Sequence, residues 1–91
     1  MHGVVVRVKV NDRSSAEQHL RERVVPGVQQ APGFHSGVWL APEGGTNGEG
    51  LSIVTFDTEE NARRAADTVR GNVPPDVEVL SVEVREVAAS A

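Results

Sequence analysis

The stretch from Gly50 to Arg70 constrains the fold most, because a strand, a helix cap and an amphipathic helix follow one another in it without a spare residue. Leu51, Ile53 and Thr55 alternate with Ser52, Val54 and Phe56. Both sets are mostly apolar and β-branched or aromatic, the pattern of an interior strand covered on both faces. Asp57 or Thr58 then offers a side-chain oxygen to cap the next helix, and Glu59 and Glu60 place negative charge in its first turn. Ala62, Ala65, Ala66 and Val69 recur at helical spacing. Gly71 reads as the C′ residue that stops this helix. An apolar face built from alanine lets a helix lie close to a sheet but adds little bulk, so the rest of the core must come from elsewhere.

Upstream, Val4, Val6, Val8 and Val10 form one unbroken apolar face of a first strand, with Val5, Arg7, Lys9 and Asn11 opposite. Ser14 and Glu17 fit a capping box, which predicts a helix whose Ala16, Leu20, Val24 and Val28 stack at successive i, i+4 positions. Pro26 removes a backbone donor and biases Val25 away from helical angles, so a kink or break is expected there, then a short turn through Gln30 before Pro32-Gly33. A second strand is expected from Phe34 to Ala41, with Phe34, Val38 and Leu40 on one face and His35, Gly37, Trp39 and Ala41 on the other. The segment Pro42 to Gly50, rich in glycine and containing Asn47-Gly48, reads as an exposed hairpin tip. It has neither the cation nor the following helix N-terminus that a phosphate cradle needs. After the central unit, Pro74-Pro75 predicts an extended connector. A fourth strand places Leu80, Val82 and Val84 on one face and Val77, Val79, Ser81, Glu83 and Arg85 on the other, before a frayed tail from Ala88 to Ala91.

The order β-α-β-β-α-β predicts an α+β, ferredoxin-like domain over residues 1–91, a four-stranded antiparallel sheet with both helices on one face. The helices would cover Val4, Val6, Val8, Val10, Leu80, Val82 and Val84. The other face would carry Val5, Arg7, Lys9, His35, Trp39, Val77, Val79, Glu83 and Arg85, and bulky apolar residues exposed beside charge mark an interface or a pocket wall. A chain of 91 residues buries only about 60–65% of its unfolded surface, so a second copy packed on that face would relieve a thin core. Homodimerisation through the sheet face is the expectation.

Composition excludes several classes. The formal net charge of −4, with Lys9 the only lysine, argues against nucleic acid, because phosphate contacts need clustered cations. An RNA-recognition domain of this topology would also need a stacking pair of aromatics on its central strands. The absence of cysteine removes disulfides, thiolate metal sites and a cysteine nucleophile, and the three histidines are scattered, so no metal site is legible. The N-terminal apolar run is short and carries charges, unlike a signal peptide or a membrane span, and a cytoplasmic location is expected. The heavy use of Val, Ala, Gly and Arg hints at a GC-rich, bacterial coding bias.

The run VVPGVQQAPGFHSGVWL from Val24 to Leu40, followed by GEGLSIVTFDTEENARRAA, resembles the dimeric α/β-barrel superfamily that includes the antibiotic-biosynthesis monooxygenase-like proteins. The features that carry the likeness are a first helix ending in P-G-F, a second strand with Gly and an aromatic, and a third strand running into an acidic, capped helix. The resemblance implies two sheets packed face to face and a small, often aromatic, ligand, which some members oxygenate without metal or flavin. Haem-degrading members use an Asn on the first strand, a Trp, and a His on the second helix. Asn11 stands near the first of these places, while the helix from Glu59 to Arg70 has no histidine and the chain has no tyrosine.

The candidate ligand-binding residues are Trp39, His35, Asn11 and Arg7. His35 and Trp39 are expected on one face, roughly 13 Å apart along the strand. Trp39 either stacks on a planar ligand, with His35 as proton acceptor, or fills a dimer interface with His35 at its wet edge. Arg7 and Lys9 either meet an anionic ligand group or pair with Glu83. His19 is expected at the surface beside the Leu20 stripe. Two functions follow: a homodimeric barrel that binds a small apolar or aromatic molecule, with cofactor-independent monooxygenation as its chemistry and no cofactor, or a non-catalytic dimeric binding or structural module. The cavity behind Trp39 discriminates them, since a small organic molecule needs about 300 Å³ or more.

Overall fold

Alternating valines on two neighbouring strands lock the centre of the sheet. In the computed structural model, which describes residues 1–45, 47–73 and 77–91, β1 (His2–Val10), β2 (Phe34–Leu40), β3 (Gly48–Phe56) and β4 (Val77–Glu86) pair antiparallel in the order β2-β3-β1-β4. The helical segments α1 (Arg13–His19), a π-type turn (Leu20–Val24) and α2 (Val25–Gln29) link β1 to β2, and α3 (Glu59–Gly71) links β3 to β4. This is the ferredoxin-like βαββαβ arrangement. The Pro74-Pro75 connector lies outside the described residues. Among the described residues no helix is long and apolar enough to cross a membrane.

Val4 sits opposite Val54 on one side and Val84 on the other, so these side chains share the face toward the helices. With Val6, Phe56, Ala62 and Ala66 they make the core, in which Phe56 is 1% exposed and meets Phe34 edge-on at a centroid distance of 6.4 Å. Helix α3 packs down as its alanines require: Ala62 and Ala66 are buried. Thr58 is the cap, its hydroxyl accepting from the Asn61 amide at 3.1 Å. At the other end Gly71 is the last helical residue rather than a left-handed C′ residue. Asn72 closes the helix by donating its side-chain amide to the Thr68 carbonyl at 2.9 Å.

The first helical segment departs from expectation twice. Its cap is Asp12 and not Ser14: Asp12 leaves β1 with extended backbone, and its carboxylate accepts from the Ser15 amide at 3.2 Å. Glu17, freed from a capping box, pairs with Arg13 at 3.2 Å. Pro26 does not break the segment, because the preceding turn widens and the Val25 amide reaches the carbonyl of Leu20, five residues back. Pro26 then falls in the first turn of α2, where a missing donor is cheap.

Two β-bulges overturn the expected facing of the edge strands. Arg7 pairs with Ser81 but Val8 with Val79, so Leu80 is an extra residue on β4. Val77 and Val79 therefore turn toward the helices and Leu80 turns away. On β2, Phe34 pairs with Phe56 but Ser36 with Thr55, so His35 is extra. Beyond it, Gly37 lies opposite Val54 and Trp39 opposite Ser52, on the helix side. His35 and Trp39 consequently occupy opposite faces of the sheet, not one. The face away from the helices exposes Val38 (48%), Leu40 (50%), Ile53 (38%) and Leu80 (49%). The charges expected on that face pair locally: Arg7 with Glu49 at 3.0 Å and Arg85 with Glu83 at 2.8 Å.

Candidate functional site

The two helical layers seat differently on the sheet, and the difference makes a cavity. Small side chains bring α3 into contact with β1 and β3, whereas α1, the π turn and α2 contain no buried residue. The predicted stripe of Ala16, Leu20, Val24 and Val28 does face the sheet, but only Val28 at its end packs on the core, and the stripe roofs an open space of about 500 Å³. The floor is the valine face of β1 with Val54 and Val79. The volume exceeds the roughly 300 Å³ that a small organic ligand needs.

Trp39 supplies the wall. Its indole folds back over Gly37: a Cβ built on Gly37 would stand 2.9 Å from Cη2 and 3.0 Å from Cζ3, so only glycine leaves room for the ring in this pose. The bulge at His35 is what turns Trp39 to this side. Without the extra residue, Trp39 would project from the opposite face.

Of the four sequence-derived candidates, only Trp39 lines the cavity. His35 lies on the opposite face, where Nδ1 is 3.4 Å from the Thr55 hydroxyl, itself 2.7 Å from the Ser36 hydroxyl. Arg7 lies on that face too, held by Glu49. Asn11 is exposed at the end of β1, and its backbone carbonyl accepts from the Asn47 side-chain amide at 2.8 Å. Asn47 also accepts from the Arg13 amide at 3.0 Å, so the loop between β2 and β3 is pinned to the start of α1 and is more than a free hairpin tip.

The polar groups that do reach the cavity come mainly from the first helix: Arg13, Glu17, His19 and Arg23. Ser52 lies on the floor opposite Trp39, and Thr68 and Asn72 stand at the α3 side. The helical residues flank the apolar stripe, and this adjacency at i, i+3 and i, i+4 is the signal by which the sequence marks them. Among the described residues no group of three His, Asp or Glu gathers to hold a metal ion. The arrangement suits an apolar molecule held by shape, with polar contacts available at its edge.

No family model and no curated protein sequence matches the chain, but solved structures match its shape. SnoaB from Streptomyces nogalater, a cofactor-independent oxygenase whose structure is that of a single-residue mutant, aligns with a TM-score of 0.70 at 14% identity, over 98% of this chain and 94% of its own. A dimeric ferredoxin-like protein from an uncultured marine organism aligns at 0.61 and 8% identity, over 100% and 98%. MhuD from Mycobacterium tuberculosis, a haem-degrader with two haems bound in its active site, aligns at 0.56 and 19% identity, over 97% and 98%. Agreement along whole chains at such low identity reports the path of the backbone, and on that ground the chain shares the ferredoxin-like fold of these structures.

Proposed function

We propose that this chain, working as a single domain, is a homodimer that binds one small, mostly apolar or aromatic molecule per subunit in the cavity between its first helix and its sheet. The observation that carries this reading is the open space of about 500 Å³ with the Trp39 indole as its wall. A cavity lined by valine, leucine and alanine and lying under a helix with no buried residue is better filled by an apolar ligand than by water. The second copy packs on the open sheet face, because Val38, Leu40 and Ile53 are exposed neighbours on β2 and β3 there and Leu80 is exposed on the same face across β1, apolar surface that a monomer would leave in water.

Cofactor-independent oxygenation is the chemistry we assign to the bound molecule, and the likeness to SnoaB supports it. Haem degradation fits less well, since α3 has no histidine. A non-catalytic binding module is the second reading. It is favoured by the absence of His35, Asn11 and Arg7 from the cavity, which leaves Ser52 as the polar group on the strand position facing Trp39.

Native mass spectrometry of the protein purified from its own host tests both parts. A dimer carrying a stoichiometric extra mass is expected, and oxygen uptake on addition of that molecule separates oxygenase from binding module. A clean monomer would overturn the assembly, and a dimer that retains no small molecule and whose Trp39 fluorescence answers no apolar probe would overturn the binding site.

A further inference from the structure

The charges that reach the cavity run against the charge of the protein. The chain as a whole is acidic, with a formal net charge of −4, yet among the described residues the formally charged groups on the cavity wall are two arginines, Arg13 and Arg23, against one carboxylate, Glu17. That carboxylate is already held by Arg13 at 3.2 Å. Arg23 has no hydrogen bond or ion pair among the described residues, and His19, one helical turn before it, lines the same wall. Gln18 takes up Glu22 at 3.3 Å, so the acid adjacent to Arg23 is engaged on the outer surface.

We propose that Arg23, with His19 beside it, is the recognition site for an acidic group on the ligand, so that the substrate class is an apolar or aromatic body carrying one carboxylate or similarly acidic group at its end. This rests on the reading of the cavity as a ligand site and adds the charge of what enters it. The geometry fits such a molecule: the floor and roof are apolar, while Arg23 borders the cavity and is exposed to solvent, as a long cationic side chain beside an apolar wall tends to be. A buried cation would pay heavily for desolvation before any ligand arrived, but an exposed one does not. The planar guanidinium also matches a carboxylate bidentately.

The test compares two probes of the same shape, 2-naphthoate and 2-naphthamide, by their quenching of Trp39, the only tryptophan in the chain. The acid binds more tightly by roughly five-fold, the upper end for an ion pair open to solvent. Arg23→Gln abolishes that preference, so that acid and amide bind alike, their continued quenching of Trp39 shows that the variant is folded, and Arg23→Lys keeps part of the preference. Equal affinity for the two probes, or a preference that survives Arg23→Gln, overturns the acidic-ligand assignment and leaves the cavity reading intact. A Trp39 signal that answers neither probe overturns both.

Discussion

Replacing Gly37 with alanine tests the packing that gives the cavity its aromatic wall. The added methyl would sit 2.9 Å from Trp39 Cη2, and ordinary contact begins near 3.4 Å, so the far end of the indole must recede by 0.5 Å or more toward the cavity. Its third neighbour, Val54 Cγ2, already stands at 3.4 Å and needs no adjustment. The backbone at Gly37 does not have a positive φ, so alanine is compatible there and removes unfolded-state freedom worth about 0.4–1 kcal/mol. Forcing one extra methyl into a packed site costs about 1–3 kcal/mol. The expected net loss is about 1–2 kcal/mol, read as a fall in the urea midpoint at constant m-value. Because the clash is with one movable ring, the loss must vanish when that ring is removed. In a Trp39→Ala background Gly37→Ala should be neutral or stabilising, giving a coupling of about 1–3 kcal/mol in the double-mutant cycle. Probe affinity should fall with the single Gly37→Ala change as the indole enters the cavity. A cost that is the same in both backgrounds would refute the reasoning, because the methyl would then be striking something other than the indole.

Three further outcomes can be checked. Ile53→Asp, placed on the open face of the central strand where Ile53 is 38% exposed, should turn the proposed dimer into a monomer in sedimentation equilibrium. A dimer of unchanged affinity would mean that the copies meet elsewhere. Phe56→Ala removes the largest fully buried side chain and should cost about 3–5 kcal/mol, a large share of the stability of a domain this size, in calorimetric or urea unfolding; a cost below about 1 kcal/mol would contradict its place in the core. Thr58→Ala removes the hydroxyl that accepts from the Asn61 amide and should cost about 1 kcal/mol, recovered by Thr58→Ser or Thr58→Asp; no recovery would show that the hydroxyl is not the cap.

The elements were legible because each carries its own local signal. The valine alternation of β1, the cap and alanine stripe of α3, and the i, i+4 stripe of the first helix are short-range patterns, and each segment adopted the structure its period demands. Expectation failed where an extra residue interrupted the period. Val77, Val79, Leu80, Val82 and Val84 contain apolar residues at both parities, so a bulge at Leu80 can exchange the two sets with no change in how apolar the strand reads. The same ambiguity in Phe34, Val38, Trp39 and Leu40 concealed the bulge at His35, and with it the separation of His35 from Trp39. Pro26 marked an irregularity in the first helix, but as a widened turn that keeps Val25 helical instead of a break.

The sequence alone determined the βαββαβ order, the interior position of β3, and the stripe of the first helix that faces the sheet. These follow from periodicity and capping, which act within a few residues. Only the tertiary structure decided that the first helix stands off the sheet while α3 closes on it, that Trp39 turns into the space so formed, and that Val38, Leu40, Ile53 and Leu80 are left facing outward together. Those outcomes depend on strand register and on how two helices share one sheet face, and register is set by pairing between segments far apart in the chain, where a single inserted residue reverses every side chain beyond it.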